Sequence, residues 1–87
     1  MSRYAVEVLP AARRQVKKLS SDAYRLVRPV IRSLAENPRP NGYKPLHGKL
    51  KGLYRIDAGN YRVVYQIKDD LLIVVVVKVA NRRDVYR

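Results

Sequence analysis

Eighty-seven residues are enough for one hydrophobic core and no more, so residues 1–87 are expected to form a single domain. The absence of cysteine excludes disulfide stapling, thiol catalysis and thiolate zinc sites, and with no Phe or Trp the core must be built from aliphatic side chains and tyrosines. Nineteen Lys and Arg against seven Asp and Glu give a formal charge of +12, more than solubility requires and suited to a polyanionic partner, with nucleic acid the first expectation.

Tyr4, Val6 and Val8 alternate with Arg3, Ala5 and Glu7, the period of a short strand with one buried face. Pro10 ends it and suits the first position of a helix, and Ala12, Val16 and Leu19 then recur at helical spacing, which predicts a helix from Pro10 to Leu19. Ser20, Ser21 and Asp22 offer capping side chains for a second, longer helix, whose stripe is Ala23, Leu26, Val27, Val30, Ile31 and Leu34. Pro29 deletes one backbone hydrogen bond within that helix and predicts a kink, and Asn37-Pro38 ends it.

From Asn37 to Gly52 three prolines, three glycines and four Lys or Arg occur with no apolar period, so this stretch reads as a loop over the surface. Leu53 to Ala58, Tyr61 to Lys68 and Leu71 to Ala80 read as three strands, with Gly59-Asn60 a two-residue hairpin and Asp69-Asp70 a weaker one. The last run is apolar at both parities, as a central strand covered on two sides must be. The expected fold is α+β, in the order β-α-α-β-β-β, with the two N-terminal helices packed on one face of a small, mostly antiparallel four-stranded sheet. The basic N-terminal twenty residues lack the apolar run of a secretory signal, and Leu71 to Val77 is too short to cross a bilayer as a helix. A soluble, cytoplasmic protein without a membrane partner is expected.

A two-residue turn at Gly59-Asn60 would pair Ala58 with Tyr61, Asp57 with Arg62, Ile56 with Val63, Arg55 with Val64 and Tyr54 with Tyr65. Tyr54, Ile56, Ala58, Tyr61, Val63, Tyr65 and Ile67 then face the helices, and Arg55, Asp57, Arg62, Gln66 and Lys68 form a charged platform behind them. Arg55 and Arg62 become diagonal neighbours, about 7–8 Å apart, close enough to share one phosphate. The bland alternative is a solvated sheet surface carrying an Asp57–Arg62 ion pair worth about 0–1 kcal/mol. Beyond the last strand, Asn81-Arg82-Arg83-Asp84-Val85-Tyr86-Arg87 adds guanidinium groups and a ring able to stack on an unpaired base, or else a frayed basic terminus.

The segment Leu-His-Gly-Lys-Leu-Lys-Gly-Leu-Tyr-Arg-Ile-Asp-Ala-Gly-Asn-Tyr-Arg-Val-Val-Tyr over 46–65, with the valine-rich strand and the Asn-Arg-Arg-Asp-Val-Tyr-Arg end, resembles the RelE/ParE toxin superfamily across essentially the whole chain. The tail is more similar to the RelE branch. That resemblance implies an mRNA endonuclease working in the ribosomal A site, in which a ribose 2′-hydroxyl attacks the adjacent phosphate, with translation inhibition as the outcome. It implies that Arg55 is the basic residue of the first hairpin strand, Arg62 the phosphate-binding arginine, Arg82 or Arg83 the C-terminal catalytic arginine, and Tyr86 the terminal tyrosine. Asp57 departs from the pattern, standing where the best-known members have a second basic residue as general base. An aspartate can take a proton, but one paired with Arg62 is a weaker base.

Chemistry limits these roles further. A guanidinium is a poor proton donor at neutral pH, so Arg62 and Arg82 would stabilise the pentacovalent phosphorane. Tyr86 could stack on the base or exchange a proton, or pack on the core. His47, the only histidine, lies in the long loop and reads as an exposed loop residue. Lys44, Lys49 and Lys51 are assigned to ribosomal RNA phosphates, with Arg87 as a further RNA contact. Acidic residues are too few and scattered for a metal site, and no cofactor is implied. The competing readings are a ParE-like DNA gyrase inhibitor without nuclease activity and an inactive module that docks RNA or an antitoxin. Either toxin reading implies an acidic RelB-like antitoxin with an amphipathic helix, a monomeric free domain and a higher assembly in complex.

Overall fold

The computed structural model describes residues 3–83. Strand β1 (Ala5–Val8) leads into helices α1 (Pro10–Lys17) and α2 (Ser21–Ser33), followed by a short strand β2 (Lys44–Pro45) and the strands β3 (Tyr54–Ala58), β4 (Tyr61–Lys68) and β5 (Ile73–Asn81). The sheet order is β1-β5-β4-β3-β2, with β1 parallel to β5 and every other pair antiparallel. The α+β class and the mostly antiparallel sheet are as expected, and β5 is an interior strand flanked by β1 and β4. The sheet has five strands, not four, because Lys44 and Pro45 pair with Arg55 and Tyr54 at its edge.

The helices begin where the sequence signals them. Pro10 opens α1, and Ser20 caps α2 by accepting the Ala23 N–H on its hydroxyl oxygen at 3.2 Å. Helix α1 stops at Lys17, two residues short of Leu19, and α2 runs through Pro29 to Ser33. Ala12, Val27 and Leu34 are buried against Ile56, Ala58, Val63, Tyr65, Val74, Val76 and Val79. Leu26 departs from the expected stripe. It is 50% exposed and lies over the hairpin turn, where its Cδ1 would stand 2.8 Å from a Cβ at Gly59. Gly59 has φ +62, so a side chain there meets both backbone strain and Leu26.

The β3–β4 register is the one that Gly59-Asn60 predicts, from Ala58 opposite Tyr61 to Tyr54 opposite Tyr65. The second turn differs. Asp69–Leu71 form a 3₁₀ turn and Leu72 adopts the left-handed region at φ 53, so β5 starts at Ile73 and Leu71 and Leu72 are exposed. The turn is held by its first residue: Arg39 grips Asp69 with both terminal nitrogens (3.1 and 2.8 Å) and the Tyr4 hydroxyl donates to the same carboxylate at 2.6 Å. Arg39 first and Tyr4 second hold the Asp69 carboxyl down at about 2.

The stretch between α2 and β3 is more ordered than a bare surface loop. The buried Tyr65 hydroxyl donates to the Pro38 carbonyl at 2.7 Å, and the rings of Tyr43, Tyr54 and Tyr65 follow one another at 5.6 and 6.1 Å. Further on, Leu46 donates its N–H to Leu53 and is buried with Val64, and Leu50, Leu53 and Ala80 pack around the pair. This small apolar cluster lies on the sheet face away from the helices. The platform is therefore a partly covered face and not a fully solvated one. Among the described residues no helix is long and apolar enough to cross a membrane.

Candidate nucleic-acid interface

Alternation along β3 and β4 carries Arg55, Asp57, Arg62 and Val64 to the face that the helices leave bare. Asp57 and Arg62 are directly opposite, and Arg62 Nε donates to Asp57 Oδ1 at 2.8 Å while its Nη2 lies 3.5 Å from Oδ2. Arg55 Nη1 stands 3.6 Å from the same Oδ1. Two guanidinium groups thus converge on a single oxygen atom. The ion pair anticipated as the bland alternative is present, but Arg62 is only 9% exposed, so its fork is held in place by packing as well as by Asp57. Arg62 first, then Arg55 and Arg82, lower the Asp57 carboxyl below its usual range. Asp57 is consequently ionised and a weak base.

The end of β5 closes the group. The Arg82 N–H donates to the Asn60 carbonyl at 2.9 Å, which lays the segment after Ala80 beside the hairpin turn, and the Asn81 side chain accepts the Arg83 N–H at 3.1 Å. Asn60, Arg62, Asn81, Arg82 and Arg83 line an open cleft of about 480 Å³. Arg82 and Arg83 are exposed at its mouth. A second hollow of about 350 Å³ gathers Lys44, Leu46, His47 and Arg55. Lys44 reaches it because β2 pairs it with Arg55, and His47, exposed as expected, shares the hollow with Arg55 instead of lying remote from the platform. Lys49 and Lys51 are exposed on and just after the 3₁₀ turn Gly48–Leu50, and line neither hollow. Tyr86 and Arg87 lie outside the described residues. Among the described residues no group of three or more His, Cys, Asp or Glu is placed to hold a metal ion.

A larger concavity of about 700 Å³ lies between α1 and α2 and shares no residue with the arginine cleft. Its apolar lining comes from Val8, Val16, Leu19 and Ile31, and its basic rim includes Arg13, Lys17, Arg25, Arg28 and Arg32.

The site is thus a nearly buried, carboxylate-braced arginine beside exposed arginines, on the sheet face opposite the helices, in a small α+β domain. The family model for the ParE toxin of the type II toxin-antitoxin system parDE matches residues 6–86. The chain is 34% identical to the toxin RelG of Mycobacterium tuberculosis, over 97% of each protein. Its fold superposes on the toxin-antitoxin complex RelBE2 from M. tuberculosis with TM-score 0.74 and 31% identity, covering 92% of this chain and 99% of that one. The isolated RelE toxin of E. coli matches with TM-score 0.75 and 28% identity, over 95% and 90% of the two chains. The chain belongs to the RelE/ParE superfamily of type II toxin-antitoxin toxins.

Proposed function

We propose that this toxin is a ribosome-dependent mRNA endonuclease that needs no metal or cofactor. In the reaction the ribose 2′-oxygen forms a bond to the adjacent phosphorus while the bond to the 5′-oxygen of the next nucleotide breaks. The 2′-hydroxyl gives up a proton and the leaving oxygen gains one. Charge builds on the non-bridging oxygens, and preorganised donors aimed at that charge supply the largest share of the acceleration. The observation that carries this reading is the convergence of Arg55 and Arg62 within 4 Å of one anionic oxygen, with Arg82 adjoining them. Arg62 and Arg82 are assigned to the phosphorane, Arg55 to the incoming phosphate, and Arg83, Lys44, Lys49, Lys51 and Arg87 to flanking RNA. Tyr86 is assigned to the base or to proton exchange. Asp57 is assigned chiefly to bracing the arginines, since its lowered pKa leaves little proton affinity. The weak acid-base set fits an enzyme whose substrate is oriented by the ribosome.

Purified protein incubated with programmed ribosomes should cut the message within the A-site codon, mapped by primer extension. Tyr86→Phe should slow the cut and truncation after Ala80 should abolish it. An uncut message under all conditions sinks this reading. The match to the ParE family model favours a second one, gyrase inhibition, in which neither the terminal arginines nor Tyr86 is needed. Growth arrest that survives truncation after Ala80 would support that second reading.

The groove between α1 and α2, apolar within and basic at its rim, is assigned to an acidic amphipathic helix of a RelB-like antitoxin. The RelBE2 structure is itself a toxin-antitoxin complex, and a monomeric free toxin entering a higher assembly is proposed here too. Reversing charge with Arg25→Glu and Arg28→Glu together should weaken antitoxin binding at least about tenfold by titration calorimetry, since truncated interfacial charge pairs cost about 2–5 kcal/mol. Unchanged affinity would remove the groove from the interface.

A further inference from the structure

Strand β5 changes parity at Val77. Val74 and Val76 pair with Ile67 and Tyr65 on the helix side, and an unbroken strand would carry Lys78 and Ala80 to that side as well. Instead Val64 pairs with Lys78 while Tyr65 pairs with Val76, which leaves Val77 as an extra, unpaired residue. After this bulge Val79 takes the core position opposite Val63, and Lys78 and Ala80 move to the face that carries Arg55 and Arg62. The change is secured from the other layer. Gln15 of α1 accepts the Val79 N–H on its side-chain oxygen at 2.7 Å, fixing the first backbone group after the shifted pair. Bulges of this kind re-aim side chains beside functional sites.

Lys78 consequently sits across β4 from Arg55, the two flanking Val64 in one row that continues to Lys44. Lys78 is half-buried and pairs with Val64, and a lysine so placed can lay its methylenes on apolar neighbours while its ammonium reaches water. Arg55 and Arg62 share the Asp57 carboxylate, whereas Lys78 makes no ion pair among the described residues. We propose that Lys78 is a phosphate-binding residue beside the arginine cleft, brought to the Arg55 and Arg62 face of the sheet by the bulge at Val77. This rests on the nuclease reading above and extends it: a phosphate held at Arg55 and Arg62 brings the neighbouring stretch of RNA backbone over Lys78. As a flexible point charge it contributes to affinity and register and not to the phosphorane.

The test measures equilibrium binding to ribosomes programmed with a message whose A-site nucleotides lack the 2′-hydroxyl and so cannot be cut, over a range of salt. A normal message in parallel gives the cleavage rate at saturation. Lys78→Ala should weaken binding about three- to tenfold and lower the salt slope by about 0.7 to 1, the signature of one lost phosphate contact, with the saturated rate within about twofold of wild type. Lys78→Arg should restore affinity and slope. Lys78→Ala melting like wild type shows that the fold is kept. Wild-type affinity and slope in Lys78→Ala, with wild-type cutting intact, overturn this inference alone. A wild-type protein that neither binds nor cuts overturns the nuclease reading with it.

Discussion

Arg62→Ala is expected to slow cleavage of ribosome-bound message by about 10²- to 10³-fold, the usual loss when one preorganised donor to a developing oxyanion is removed. The large effect follows from placement. Arg62 is nearly buried, its fork is fixed by the Asp57 carboxylate, and it lines the same cleft as Arg82 and Arg83. On the nuclease reading the donors are already oriented when charge builds on the phosphate, and Arg55, 3.6 Å from the same carboxylate oxygen, is expected to replace them only in part. Arg62→Lys should recover only part of the rate, because an ammonium keeps the charge and loses the two-pronged geometry. The fold should tolerate the change: the Asp57 side chain is 36% exposed, so water and Arg55 can solvate the carboxylate that Arg62 leaves behind. Single-turnover kinetics with a melting curve separate the two effects. A rate within about threefold of wild type would remove Arg62 from the chemistry.

Tyr65→Ala should destabilise the protein by about 3–5 kcal/mol, the range for emptying a large buried aromatic site. For a domain of this size that is a large fraction of the total, about 5–15 kcal/mol, so partial unfolding at physiological temperature is the expected result. Among the described residues Tyr65 is the largest fully buried side chain, in a chain whose large aromatic side chains are all tyrosines. Its hydroxyl also ties the segment after α2 to the sheet through the Pro38 carbonyl, and burial drives its pKa upward, so the group stays a neutral donor. Tyr65→Phe keeps the volume and loses that bond, for a smaller cost of about 1–3 kcal/mol. Chemical denaturation checks both values. Equal losses in the two variants would show that the hydrogen bond, and not the packing, dominates.

The hairpin was legible in the sequence because two-residue turns admit one register, and Gly59-Asn60 between alternating strands left no slack. Everything derived from that register followed: the tyrosines on the helix side, the arginine pair behind, and the approach of Arg55 and Arg62 to one point. The helix starts were legible from Pro10 at the first position of α1 and from the Ser20 cap of α2. Less was visible where the pattern is uniform. In Ile73–Val77 every residue is apolar, so no parity is written there, and the shift at Val77 that brings Lys78 to the arginine face left no signal. The only trace lies in the residues after it, where Val79 and Lys78 fit opposite faces if one residue is skipped.

The stretch from Asn37 to Gly52 was hidden for a different reason. Its order comes from partners distant in sequence, Pro38 from Tyr65, Leu46 from Val64, Arg39 from Asp69, and no local period reports such contacts. Leu26 matched a helical stripe yet is half exposed, because α2 reaches past the core to the hairpin turn. Leu71 and Leu72 belonged to an apolar run and are instead spent on a four-residue turn, which leaves Leu72 left-handed. The roles assigned to Tyr86 and Arg87 fall on residues outside 3–83 and rest on the family resemblance.

The parallel pairing of β1 with β5 has a consequence for synthesis. Ala5 to Val8 hydrogen-bond to residues more than sixty positions further on, and the strand they need, an interior strand flanked by β1 and β4, emerges after all the others. Contacts this distant close late and set the pace of folding. The arginine cleft, whose far wall is the end of β5, therefore takes shape only after that strand has left the ribosomal tunnel and found its place between β1 and β4.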